Sequence, residues 1–231
     1  MSKNGDDVAF RCENLALSFG STVVWKDVNV TISLGCVIGL IGLNGSGKTS
    51  FLRTLSGLLA PTGGMVTGVG YAAKPSIHHC VLLEETNLFY PQLTCQEMVE
   101  FYAGVAGARS AQMESLVQEL GLLPVIHHRV QALSQGYRTR LALAFPLMSP
   151  ARVLLLDEIF NGLDVVAIEL IKNVFQREAM NGRTIIVSSH QLEVLDKMAD
   201  TFLVIHNQTI DAIAPTDIRG KYGSLQALLT Q

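Results

Sequence analysis

Residues Val37 to Ser50 read VIGLIGLNGSGKTS, and the fold follows from how this stretch divides. Val37-Ile38-Gly39-Leu40-Ile41 is an apolar run with the length and β-branched character of a buried strand. Gly42-Leu43-Asn44-Gly45-Ser46-Gly47-Lys48-Thr49 is a full match to G-x-x-x-x-G-K-[ST]. A helical pattern follows, with Phe51, Leu52, Leu55, Leu58 and Leu59 on one face, and ends at Ala60-Pro61. Strand, glycine loop and helix in that order are the context that makes the motif a phosphate-binding loop.

The residue types suit that chemistry. Glycines let backbone N–H groups converge on phosphate oxygens with no Cβ in the way. Lys48 is placed to reach the β and γ phosphates, and the Thr49 hydroxyl to take a Mg²⁺ position. A helix that starts here adds the positive end of its dipole. Gly42, Asn44, Gly45, Ser46, Gly47, Lys48, Thr49 and Ser50 are therefore the candidate binding residues for a nucleoside triphosphate.

Working outward, 231 residues suffice for one α/β domain with a subdomain. A net charge of −3 gives no electrostatic footprint for nucleic acid. Charged residues are 16% of the chain, below the roughly 25% of an average soluble domain. With a mean hydropathy of +0.33, that predicts apolar surface reserved for a partner. No apolar run approaches the roughly 18 residues of a membrane span, and MSKNGDDV is not a signal peptide. Cys12, Cys36, Cys80 and Cys95 have no C-x-x-C spacing, which predicts a reduced cytosolic setting without a zinc site or disulfide framework.

Ahead of the loop, Ala9–Phe19 and Val23–Leu34 alternate with period two, with Val28, Val30, Ile32 and Leu34 on one face. They predict an antiparallel β unit. Phe19 at a strand end is either a base-stacking aromatic or ordinary core. Behind the loop, Pro61-Thr62-Gly63-Gly64 predicts a turn, Met65–Ala72 a short strand, and Ile77–Leu83 another, ending at Glu84-Glu85. His78-His79, read as strand neighbours on opposite faces, do not share a metal site, and His127-His128 is treated likewise.

Residues 88–150 read as helical: a capping box at Thr94-Cys95-Gln96-Glu97 opens one helix (Met98, Val99, Phe101, Tyr102, Val105). Ser110–Leu120 is a second, stopped by Gly121, and Leu133-Ser134-Gln135-Gly136-Tyr137-Arg138 precedes a third through Leu147. Val153–Leu156 is then a buried strand delivering Asp157 and Glu158 to its C-terminal end, where open parallel sheets bind ligands. Asp157 suits a Mg²⁺ shell, and Glu158 suits proton acceptance from an attacking water. Asp164–Phe175 is a helix, Arg183–Ser189 a strand with His190 at its tip, and Gln191–Asp200 a helix. Phe202–Ile205 and Thr209–Ile213 form a closing hairpin, and a short helix follows from Thr216.

The order of these motifs resembles the ATP-binding cassette, the ATPase subunit of ABC transporters, over nearly the whole chain. The resemblance makes Phe19 the adenine-stacking aromatic, Gly42–Thr49 the Walker A motif and Leu133–Tyr137 the signature. Val153–Asp157 becomes Walker B, Glu158 the catalytic glutamate, Asn161-Gly162-Leu163-Asp164 the D-loop and His190 the switch histidine. It implies an α/β fold: a P-loop core of mostly parallel sheet with an N-terminal antiparallel β subdomain and an inserted helical subdomain. The parts are 1–87, 88–150 and 151–231. It also implies two cassettes packed head to tail, with Ser134, Gly136 and Asp164 of one capping the ATP on the other.

Three positions depart from the family. Glu84 stands where the family has the Q-loop glutamine that touches Mg²⁺. Gln135 and Tyr137 alter the signature, and Ile159 replaces the proline after Asp-Glu, loosening a rigid turn. The implied function is the ATP-hydrolysing subunit of a membrane transporter, working with ATP, Mg²⁺ and separate integral-membrane subunits at the cytoplasmic face of the inner membrane. The short helical insertion and the signature variant resemble exporter cassettes and those of cytochrome c maturation. The second reading is a soluble ATPase acting as an assembly or regulatory factor. A P-loop kinase leaves the signature unexplained.

Overall fold

The computed structural model describes residues 8–71, 78–84 and 90–222. Strands β1 (Val8–Phe19) and β2 (Thr22–Ser33) pair antiparallel, from Val8 opposite Ser33 to Phe19 opposite Thr22. Val28, Val30 and Ile32 are buried as their alternation predicts. β3 (Val37–Gly42) runs into α1 (Lys48–Leu55) through the glycine loop. The helix ends earlier than its apolar face suggests. Leu58 N–H donates to the Arg53 carbonyl and Gly57 N–H to that of Thr54, a Schellman stop that leaves Leu58 in solvent.

Strand β4 (Gly63–Thr67) lies on the free side of β1 and corrects the expected turn at Pro61–Gly64. Gly64, at φ 73°, sits so close to the bulged stretch of β1 that a Cβ would come 2.3 Å from the Asn14 carbonyl oxygen. Gly64 therefore allows two backbones to touch rather than turning the chain. The strand ends at Thr67, and Ala72 lies outside the described residues. β5 (Cys80–Leu83) begins later than expected: His78 and His79 lie on the turn before it, and Ile77 is outside the described residues.

Helices α2 (Cys95–Ala106), α3 (Ser110–Glu119) and α4 (Gln135–Met148) then stand between β5 and β6 (Val153–Leu156). Thr94 and Glu97 form the expected capping box, in which Thr94 N–H donates to Glu97 Oε2 at 2.8 Å. Of the apolar residues of α2, Met98, Val99 and Tyr102 are buried, and Phe101 and Val105 are exposed. Helix α5 (Val165–Met180) runs five residues past the expected end at Phe175. Its inward face continues through Glu178, buried because Arg183 and Arg177 pair with it at 2.9 and 2.7 Å. An apolar pattern stops before such an acid.

The chain closes with β7 (Thr184–Ser188), α6 (Leu192–Asp196), β8 (Thr201–His206), β9 (Thr209–Ile213) and α7 (Pro215–Tyr222). Helix α6 is shorter than expected, because the chain must turn to bring the Asp200 carboxylate to the Val37 N–H at 2.8 Å.

Two sheets result: a three-stranded one, β2-β1-β4, and a six-stranded one, β5-β6-β7-β3-β8-β9. In the second, every neighbouring pair is parallel except β8–β9. Both its faces are buried. Val37 and Ile41 of β3, with Leu154 and Leu156 of β6, pack on the helices α2 to α5. The alternate residues, Ile38 and Leu40 with Val153 and Leu155, pack on α1 and the three-stranded sheet. Continuous apolar runs are what such doubly covered strands require. The parallel order brings the C-terminal ends of β5, β6, β7 and β3 to one edge.

Candidate functional site

The glycine loop rests on β2. A Cβ on Gly47, at φ 99°, would come 2.4 Å from Val24 and 3.1 Å from the Trp25 indole nitrogen. Only glycine lets the loop pass there, and the buried Trp25 edges against Phe51 of α1 at 6.0 Å. Lys48 follows with 8% exposure, its Nζ donating to the Gly42 carbonyl at 3.0 Å. The ammonium is thereby folded back over the mouth of the loop. The Ser46 hydroxyl is buried without a hydrogen-bond partner. A buried orphan donor in a ring of glycines, at a helix N-terminus, is a cradle for an anion.

Next to β3 across the sheet edge, β6 leads into the two carboxylates and β7 ends at the Ser188 hydroxyl that holds them. Thr49 Oγ1 donates to Asp157 Oδ2 at 2.5 Å, and the Ser188 hydroxyl donates to Asp157 Oδ1. Both oxygens of Asp157 are thus aimed. Hydroxyl and carboxylate are hard oxygen ligands of the type Mg²⁺ takes, and their juxtaposition fits that ion.

Glu158 has a backbone that few side-chain-bearing residues adopt, with φ 51°. Its N–H is held by the Ser188 carbonyl at 3.1 Å and hydroxyl at 3.0 Å. Ile159 and Phe160 after it are buried in the core. The strained backbone aims the carboxylate between two partners: Oε1 lies 3.8 Å from Lys48 Nζ, and Oε2 lies 2.8 Å from His190 Nδ1. Nδ1–H of His190 donates to that oxygen when it carries the proton. His190 is mostly exposed, so the arrangement opens to solvent on its side.

The remaining positions fall into separate places. Phe19 is 55% exposed at the tip of the β1–β2 hairpin, whose Val24–Trp25 segment backs the loop, so the core alternative fails. Glu84, which the resemblance places near Mg²⁺, is engaged by Arg53, which donates from Nε at 2.5 Å and from Nη2 at 3.1 Å. The hydrogen bond to Glu84 and then its charge hold the Arg53 guanidinium's pKa above its ordinary value.

Ser134 caps α4 by accepting from the Tyr137 N–H at 3.4 Å, and a Cβ on Gly136 would lie 3.2 Å from the Gly162 carbonyl. Asp164 caps α5, accepting from the Ala167 N–H at 2.7 Å. Signature and Asp164 loop are therefore neighbours. Sequence reading missed Arg53 and Ser188. Arg53 stands four residues after Thr49, and Ser188 two before His190, spacings that place each beside a recognised residue.

These features define a P-loop nucleotide-binding protein with its acid residues collected at the sheet's C-terminal edge. Comparison with known proteins narrows the class. A family model described as "ABC transporter" matches residues 25–161, more than half of the chain, and the chain belongs to that family. It is an ABC transporter ATP-binding subunit and an ATPase.

Cytochrome c biogenesis ATP-binding export protein CcmA of Wolbachia pipientis wMel is 36% identical over 189 residues, covering 80% of this chain and 91% of that one. ABC transporter ATP-binding protein NatA of Bacillus subtilis (strain 168) is 29% identical over 79% of this chain and 78% of that protein. Bacitracin transport ATP-binding protein BcrA of Enterococcus faecalis is 33% identical, over 84% of this chain and 65% of its own length. A solved structure described as the ATP-binding subunit of an ABC transporter superposes with a TM-score of 0.83 at 25% identity, covering 96% of this chain and 99% of that one.

Proposed function

We propose that the chain drives export through separate membrane subunits, with ATP on the Lys48 loop hydrolysed by Glu158 acting as general base. The carrying observation is the Glu158 carboxylate, fixed between Lys48 and His190 by a strained backbone. A carboxylate so held can take a proton from a water attacking the terminal phosphate. His190 orients the carboxylate and is placed to contact the γ-phosphate. Thr49 and Asp157 would hold Mg²⁺, which when bound neutralises phosphate charge. Gly42, Asn44, Gly45, Ser46, Gly47 and Ser50 complete the phosphate cradle around Lys48.

Ser134, Gly136 and Asp164 cap the nucleotide of a second cassette, homologous or identical, in a head-to-tail pair. The adjacency of Gly136 and Gly162 supports this, because it presents signature and Asp164 loop as one surface. Export is supported by the likeness to CcmA, an export protein, and a transport role by the likeness to the bacitracin transport protein BcrA. Among the described residues no helix is long and apolar enough to cross a membrane. In this reading the chain sits at the inner membrane's cytoplasmic face, held by its partner subunits.

Two experiments test this reading. A tagged Glu158→Gln chain, purified from detergent-solubilised membranes of its host with MgATP, is expected to bring a stoichiometric multi-span protein with it. Recovery with soluble proteins alone overturns the proposed coupling to separate membrane subunits. Replacing Phe19 by alanine is expected to weaken ATP binding by about fivefold, the scale of one base–aromatic stack. The melting temperature stays unchanged because the ring is largely in solvent. Equal affinity in a fluorescent-ATP titration removes Phe19 from the base site.

A further inference from the structure

The six-stranded sheet sets a problem of charge. Leu83 of β5 pairs with Leu156 of β6, and Asp157 N–H donates to the Leu83 carbonyl at 2.8 Å. Glu84 and Asp157 thus leave the sheet side by side. Two carboxylates at one strand edge repel each other, and both repel a triphosphate on the adjoining loop. Helix α1 carries the answer: Arg53 lies one turn beyond Thr49, on the face that carries the Thr49 hydroxyl.

From there Arg53 takes Glu84 with a two-pronged hydrogen bond. We propose that Arg53 is a positioning residue: it holds Glu84 off the Thr49–Asp157 oxygens and offsets the charge that a glutamate brings to this edge. The proposal rests on the reading of Thr49 and Asp157 as the metal position. Asp157 adds to the same balance, since its charge also favours the protonated guanidinium. The pair is half in water, Arg53 at 50% and Glu84 at 28% exposure, so it is a restraint that can open.

Without Arg53 the carboxylate is free to turn toward Asp157, its strand neighbour. It then acts in opposite directions on two ligands: it repels bare ATP and offers a further hard oxygen to Mg²⁺. The quantity to read is therefore the ratio of the Kd for ATP in EDTA to the Kd for ATP with Mg²⁺. Both are measured by isothermal titration calorimetry on the full chain.

Arg53→Gln is expected to raise this ratio about tenfold, on the scale of one charge moved within a partly exposed site. In a Glu84→Gln background the same substitution is expected to raise the ratio only about threefold, because the Arg53 charge is still lost but no carboxylate remains to be released. Arg53→Lys is expected to fall between, since an ammonium lacks the planar fork. An equal shift in both backgrounds, or no shift in either, overturns the proposal, because Arg53 would then act independently of Glu84. A native chain that binds neither form overturns the ATP-site reading itself.

Discussion

Replacement of Glu158 by glutamine is expected to cut ATP turnover at least about a hundredfold while leaving MgATP affinity within about threefold, because general-base catalysis contributes on that scale. Glutamine keeps the side-chain length and leaves untouched the two Ser188 bonds to the residue's N–H, which fix the unusual backbone. Shape is preserved. An amide oxygen, however, does not take a proton from water at neutral pH, and the amide no longer attracts Lys48 or a protonated His190. Binding energy is then retained while the step it serves is blocked. Under the head-to-tail proposal this variant accumulates as a closed dimer with MgATP, visible as a doubled mass by size exclusion with light scattering. Phosphate release is the decisive reading: native turnover removes Glu158 from the role of base.

The legible part of this molecule was the part where chemistry dictates residue type. The loop from Gly42 to Thr49, the apolar strand before Asp157 and the histidine after β7 are specified by what phosphate, metal and sheet edge demand. The structure gathers Lys48, Thr49, Asp157, Glu158 and His190 at one edge. Element boundaries were less legible where tertiary contacts overrule periodicity. Gly63-Gly64 looks like a turn until Asn14 is known to press against Gly64. Helix α5 passes through Glu178 because Arg183, distant from the helix's apolar pattern, neutralises it. The Glu84–Arg53 pair shows the same limit at the site: each residue was visible, but only the folded chain brings the side chain from α1 to the residue after β5.

Lys48 carries the other large effect. Lys48→Met is expected to weaken ATP binding by about a hundredfold or more, the scale on which a preorganised charged contact to a phosphoryl group acts. Methionine has nearly the same stem, so the buried slot stays filled. Two contacts are lost, the 3.0 Å bond to the Gly42 carbonyl and the 3.8 Å approach to Glu158. Glu158 reaches solvent, and the Gly42 carbonyl loses one donor, a cost on the scale of about 1–2 kcal/mol. The melting temperature is therefore expected to fall by no more than about 5 °C, corresponding to roughly a kilocalorie or two for a chain of this size.

Lys48→Arg separates charge from shape at the same position. Arginine keeps the positive charge, but its broad guanidinium does not fit a slot closed by the Gly42 carbonyl on one side and Glu158 on the other. It is expected to bind ATP weakly as well. Affinity is read by titration of a fluorescent ATP analogue and stability by calorimetry on the same samples. Weak binding by both variants, with melting preserved, assigns the energy to a compact ammonium at one point in space. Native affinity in Lys48→Met means that the phosphates lie elsewhere, and the site built around this loop does not stand.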